Sequence, residues 1–189
     1  MKKVSRHSPA KLNLFLKVIN KRPDGFHNII TLFERIDLFD TLEFAETKEN
    51  SIKIACNNPA IPTGRKNLIY KCAEILKKNF NINAGVRIQL TKRIPVAAGL
   101  AGGSTNAATT LLALNQLWHL KLTNSQLIDY GRQVGSDVPF FLNNCRWGLG
   151  EDRGDKISAV DIKTSLYHVL VVPRLTMYTW KVYKEFSAE

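Results

Sequence analysis

Pro95-Val96-Ala97-Ala98-Gly99-Leu100-Ala101-Gly102-Gly103-Ser104-Thr105-Asn106 follows the alternating stretch Val86-Arg87-Ile88-Gln89-Leu90 and leads into an Ala/Leu-rich run ending at Trp118. Alternation predicts a half-buried strand, and the run after the glycines predicts a helix over 106–118. A glycine loop between a strand and a helix suits anion binding: the first turn of a helix leaves backbone N–H groups without partners, and glycines let the chain close around a phosphate. Gly99, Gly102 and Gly103, with the hydroxyls of Ser104 and Thr105, would fit a triphosphate. The loop is not a Walker loop, which ends in G-K-[ST], nor a dinucleotide G-x-G-x-x-G turn. From spacing alone, a glycine-lined helix entrance packed tightly on a sheet reads equally well.

Upstream, Leu12 to Ile19 predicts a strand, followed by a turn at Pro23-Asp24-Gly25. Extended stretches are expected over 29–39, 41–44 and 51–55. Asn67 is placed to cap a helix whose apolar face holds Leu68, Ile69, Cys72, Ile75 and Leu76. Downstream of Trp118, Thr123 or Asn124 caps a helix over 125–134 that Gly135 ends. Gly148 to Gly154 reads as a glycine-bearing turn between extended pieces, Leu166 to Val172 as a late strand, and Met177 to Phe186 as a helical tail. Strands first, then helices, then strands again favour an α+β two-layer domain over a doubly wound parallel sheet.

The bulk properties narrow the function classes. A chain of 189 residues that is 44% hydrophobic can bury a proper core, and no stretch marks a linker, so composition predicts one compact domain. No apolar run is long enough to cross a bilayer, and the Leu12–Ile19 run is broken by Asn13 and Lys17, so neither a membrane span nor a signal segment is expected. Cys56, Cys72 and Cys145 have no metal-ligand or disulfide spacing and read as reduced, mostly buried thiols of a cytoplasmic protein. The net charge of +11 invites a nucleic-acid reading. The cations are scattered, however, with no arginine-rich tract or aromatic RNA-binding run, and a solvated surface is the favoured reading. No carboxylate cluster suggests a dedicated metal site.

Two side chains could serve phosphoryl transfer to an alcohol. That chemistry needs a group to position the hydroxyl and take its proton, and a cation to offset developing negative charge. Asp137, in Gly135-Ser136-Asp137-Val138-Pro139, and Lys11, after Pro9-Ala10, supply such a pair. On residue type alone Asp137 is more ordinarily a turn or cap residue, and Lys11 a strand-end lysine.

Three segments together resemble the GHMP kinase superfamily: Pro9-Ala10-Lys11-Leu12-Asn13-Leu14-Phe15-Leu16 with Arg22-Pro23-Asp24-Gly25-Phe26-His27, PVAAGLAGGSTNAA from Pro95 to Ala108, and GSDVPFF from Gly135 to Phe141. Within it they are similar to the branch that phosphorylates the C2 hydroxyl of 4-diphosphocytidyl-2-C-methyl-D-erythritol, a cytidine diphosphate-linked methylerythritol of isoprenoid (terpenoid) biosynthesis. The resemblance implies the ribosomal protein S5 domain 2-like two-layer fold, ATP as phosphate donor and Mg2+ carried with it. It implies Asp137 as general base, Lys11 holding the hydroxyl, Pro95 to Asn106 around the phosphates, and Lys92 and Leu68 near adenine and ribose. It also implies Phe26 stacking on cytosine where relatives carry Tyr, His27 reading the base edge, Asn13 beside the methylerythritol, and Thr179 and Tyr183 near the other cytosine face. Without it, Phe26 and Tyr183 would read as core aromatics and His27 as a turn histidine.

Ala97, Ala98 and Ala101 stand where the superfamily commonly has glycine, and Asn143-Asn144-Cys145-Arg146-Trp147 departs from its small-residue pattern. The resemblance further implies an N-terminal, ATP-binding domain over 1–164, with 165–189 opening a C-terminal domain that carries another glycine-rich motif. The chain thus reads as a truncated form. Two rivals stay open: another GHMP kinase without a cytosine-stacking pair, and an inactive module that binds RNA. All versions of the kinase reading require Asp137 and Lys11 to face the helix tip near Ser104 across one cavity.

Overall fold

A computed structural model describes residues 2–173. Its spine is a pair of long antiparallel strands, β1 (Lys3–Lys21) and β2 (His27–Thr47). The turn between them is the expected one: Gly25 takes φ +86°, its N–H donates to the Arg22 carbonyl, and the Asp24 carboxylate accepts from the Phe26 N–H. The other edge of β2 is shared. Its last residues, Thr41–Thr47, pair with β4 (Gly85–Thr91), and Thr31–Glu34 pair with β5 (Trp147–Glu151), which pairs in turn with β6 (Lys156–Val160). A short β3 (Ile52–Cys56) lies parallel to β4. The result is one six-stranded mixed sheet.

The side chains of β4 alternate as the sequence demands. Val86, Ile88 and Leu90 are buried, while Arg87 and Gln89 are exposed. The buried face packs against α1 (Leu68–Asn79), α2 (Gly102–Leu117), α3 (Asn124–Val134) and the single turn α4 (Val138–Leu142). Leu42, Phe44, Ile69, Leu76, Leu111, Leu114 and Phe140 are all below 2% exposed and form the centre of that layer. The fold is therefore two layers, α+β, with the helices packed on one face of the sheet.

Local signals set the helix ends. The Asn67 side chain caps α1 by accepting from the Ile69 N–H, and Thr123 with Gln126 forms a reciprocal capping box at α3. The predicted helix over 106–118 starts earlier, at Gly102, because Ala101 takes a left-handed conformation, φ +54°, and the N–H of Thr105 reaches back to its carbonyl.

Other expectations need correction. The two stretches expected over 29–39 and 41–44 are one strand, since Asp40 lies buried within β2 rather than breaking it. The turn α4 was not anticipated. Leu166–Val172 is not a strand: it has no ladder partner among the described residues, and Tyr167 and Val169 are 97% and 95% exposed, so an apolar run by itself did not make a sheet. Of the cysteines only Cys72 is buried; Cys56 and Cys145 are half-buried, and all three are free. The expected helical tail over 177–186 lies outside the described residues. Among the described residues no helix is long and apolar enough to cross a membrane.

Candidate functional site

Where β1 passes the start of α2, the chain encloses a cavity of about 1420 Å³. Its lining joins the three segments singled out in the sequence: Lys11 and Asn13 from β1, the loop from Pro95 to Ser104 apart from Val96, and Ser136 with Asp137 from the turn before α4. Phe26, His27, Gly25 and Lys21 line it from the hairpin end, Arg153 from the β5–β6 turn, and Leu170 to Pro173 from the stretch after β6.

Lys11 and Asp137 meet at 3.8 Å between Nζ and Oδ2. This is coulombic contact without a direct hydrogen bond, so a hydroxyl can touch both groups. Asp137 stands at the N-terminal end of α4, yet its side chain caps nothing, and its carboxylate, 32% exposed, remains available. Lys11 is 7% exposed at its side chain; burial pulls its pKa below the ordinary lysine range, and Asp137 opposes that shift. Lys11 Nζ also donates to Asn13 Oδ1, and Asn13 Nδ2 donates to the Thr31 hydroxyl at 2.7 Å. That hydroxyl donates on to the Phe15 carbonyl, so each member of the chain has its orientation fixed.

The loop is held from beneath. Asp40 is fully buried and accepts from Lys92 Nζ at 2.8 Å and from the N–H groups of Arg93 and Ile94. Lys92 Nζ also donates to the Ile94 carbonyl. The Leu100 carbonyl accepts from the Lys11 N–H, which ties the loop directly to β1. No side chain caps α2, so the N–H groups of Gly102, Gly103 and Ser104 lack helical partners. A Cβ at Gly102 would stand 2.9 Å from Lys92 Nζ and 3.2 Å from the Ile94 side chain, so a side chain there would press on the Lys92–Asp40 pair. Ala97 and Ala101 share left-handed backbone angles, φ +56° and +54°, that an L-residue adopts at a cost of ~1–2 kcal/mol.

A second, smaller pocket of about 200 Å³ adjoins the loop, lined by Leu68, Lys92, Val96, Asn106, Ile61 and Pro62 among others. Pro95, Ala97, Gly102 and Gly103 border both spaces. Asn106 is 3% exposed, and its Oδ1 is a buried acceptor without a hydrogen-bond partner. Such an atom is costly unless a donor arrives, which suits a polar ligand in this pocket. Around the loop the chain thus offers open backbone donors suited to an anion and an orphaned acceptor suited to a donor group. Among the described residues no three His, Cys, Asp or Glu side chains gather to hold a metal.

Not every expected residue faces these spaces. The Thr105 hydroxyl is buried against Ser8, 3.0 Å away, and so stitches α2 to β1 instead of reaching the cavity. The Lys92 ammonium is committed to Asp40 and Ile94, and only the rest of its side chain borders the smaller pocket. Thr179 and Tyr183 lie outside the described residues. Two supporting residues were missed. Asp40 gave a faint sign, an acid inside an apolar strand pattern. Arg35 gave none: it is the cross-strand partner of Lys11, and its Nη2 donates to the carbonyls of Phe140, Phe141 and Asn143, holding α4 in place.

Comparison with known proteins converges on one group. Residues 67–144 match the family model described as the GHMP kinases N terminal domain. A Bacillus velezensis protein named 4-diphosphocytidyl-2-C-methyl-D-erythritol kinase is 42% identical over 190 residues, covering 99% of this chain and 64% of the relative. An Enterococcus faecalis protein of the same name is 39% identical over 186 residues, covering 98% and 65%. A crystal structure of a 4-(cytidine 5'-diphospho)-2C-methyl-D-erythritol kinase superposes with a TM-score of 0.70 at 36% identity, over 83% of this chain and 55% of that one. The chain thus spans about 64% of the length of the curated relatives it matches.

Proposed function

We propose that the chain is the N-terminal part of a GHMP kinase and acts in ATP-dependent phosphoryl transfer to the C2 hydroxyl of 4-diphosphocytidyl-2-C-methyl-D-erythritol. The observation that carries this reading is the Lys11–Asp137 pair, 3.8 Å apart in the same cavity as the open amides of α2. ATP lies across the loop, its adenosine in the pocket of Leu68, Lys92, Val96 and Asn106 and its phosphates on the N–H groups of Gly102 to Ser104. Mg2+ enters with ATP and offsets phosphate charge.

Asp137 takes the proton of the acceptor hydroxyl. The resulting oxygen attacks the γ-phosphorus, the bond from that phosphorus to the β,γ-bridging oxygen breaks, and ADP leaves. Lys11 holds the same hydroxyl and stabilises charge that builds on the transferred group. Asn13 fixes the Lys11 ammonium and lies beside the methylerythritol. Phe26 offers its ring to cytosine and His27 reads the base edge. A cytoplasmic place in non-mevalonate isoprenoid synthesis goes with this chemistry.

ADP release that depends on the acceptor, with purified chain and MgATP, tests the reading. Asp137→Asn is expected to lower the rate by about 10²–10⁴-fold with an unchanged melting temperature. Equal rates remove Asp137 from its role. No acceptor-dependent release, either by the chain or by the chain fused to the C-terminal part of a relative, overturns the kinase reading.

A further inference from the structure

The β5–β6 turn carries a cation into the cavity that the reaction scheme does not use. Arg153 sits between two left-handed residues, Asp152 (φ +58°) and Gly154 (φ +83°), in a turn docked against the β1–β2 hairpin by a 2.7 Å hydrogen bond from the Ile29 N–H to the Asp152 carbonyl. Gly154 is packed closely, since a Cβ there would stand 3.1 Å from Ile29. This docking aims the guanidinium at the Phe26 ring, 4.9 Å from its centroid. One hydrogen bond, Nη2 to Asp155 Oδ2 at 2.7 Å, fixes the group; Asp155 is 8% exposed. A guanidinium has five N–H donors, and this one lines the cavity, so it has donors beyond the Asp155 bond with which to meet a ligand.

The charges along that cavity are uneven. Its lining holds three cations, Lys11, Lys21 and Arg153, against one carboxylate, Asp137. Lys11 is committed to Asp137 and Asn13 at the chemical end. Arg153 stands at the other end, beside the ring proposed to carry the base. A planar fork next to an aromatic face is suited to a nucleotide whose base lies on the ring and whose phosphates follow it.

Resting on the acceptor reading above, we propose that Arg153 is a binding residue for the diphosphate of a nucleoside diphosphate-linked acceptor, anchored by Asp155 and placed by its contact with Phe26. The alternative role for Arg153 is an ion pair that only stiffens the turn. The two differ in what they do to ligands with and without phosphate.

Titrating the full chain with CDP and with cytidine separates them. Arg153→Gln is expected to weaken CDP by about ten- to a hundredfold and leave cytidine within about twofold, while Arg153→Lys recovers part of the loss. The far-ultraviolet spectrum and melting temperature of each variant control for folding. Equal losses for both ligands, or no loss for either, overturn the role of Arg153 and leave the acceptor reading intact. A parent chain that binds neither CDP nor cytidine overturns the acceptor reading, and the diphosphate role falls with it.

Discussion

The two ends of the large cavity are built on opposite plans. At the chemical end the polar groups are tied to one another: Asp40 is 0% exposed, Lys11 is 5% exposed, and Lys92 and Thr31 are held by named partners. Even the exposed Asn13 is bonded to both Lys11 and Thr31, while the Asp137 carboxylate stays partly open. At the recognition end Phe26 is 49% exposed, and Leu14, Phe15 and Leu16 along the same hairpin stand in solvent. Buried charge is tolerable only when paired and hydrogen-bonded, so the chemical end is pre-organised by necessity. The hairpin end has no such constraint: Phe26 is placed by the hairpin with the Arg153 guanidinium over its ring and leaves half of its surface open. Under the proposed reading the same cavity would separate positioning, which the fold supplies, from affinity, which exposed side chains would supply.

Substitutions can break that contrast. The largest effect on folding is expected from Asp40→Ala, which strands the Lys92 ammonium and two backbone N–H groups; removing one partner of a buried pair costs ~3–5 kcal/mol. Chemical denaturation should show a loss of that size, and a loss below about 1 kcal/mol would mean the loop is not held from beneath.

Phe26→Ala sharpens the other side. Base–aromatic stacking contributes ~1–3 kcal/mol, so cytidine and CDP should both weaken by about five- to 150-fold, with the melting temperature unchanged because the ring is half exposed. A large drop in stability with no change in affinity would move Phe26 from the site to the core.

The smallest effect is one of slope. Burial holds the Lys11 pKa below its ordinary value of 10.5. Between the lowered folded value and the unfolded one, the unfolded chain binds more protons, so stability rises with pH across that window. Below the window, protonated Lys11 opposes folding, and Lys11→Met should relieve that cost, flatten this part of the pH profile and abolish turnover. Identical profiles for parent and variant would show that burial does not burden the ammonium.

These contrasts also mark how far the sequence could be read. Asn67 and the Thr123–Gln126 box act on backbone two or three residues away, so α1 and α3 were legible with their ends. Asp40 acts on groups more than fifty residues along the chain, and its burial inside β2 left only the faint sign of an acid within an apolar strand pattern. Leu166–Val172 failed in the reverse way: its composition favours a strand, but strands need a neighbour, and no ladder forms among the described residues. In the site, the glycine loop announced a helix entrance fit for an anion. Lys11 and Asp137, by contrast, were only a possible pair by residue type and took their roles from the resemblance, because a strand-end lysine and a turn aspartate are not brought together until the chain folds. Arg35 and Arg153 were silent, since each works through partners that only the tertiary structure supplies.

Ala97 and Ala101 hold a shape that alanine by itself avoids. The loop is in this respect like an arch kept bent by its abutments: β1 grips it at Leu100, and the Asp40–Lys92 pair grips it at Ile94. Warming that loosens either abutment should let the arch straighten before the sheet melts, so nucleotide affinity should fade at a lower temperature than the fold itself. Glycine at both positions would remove the bending force and leave the abutments with less to restrain.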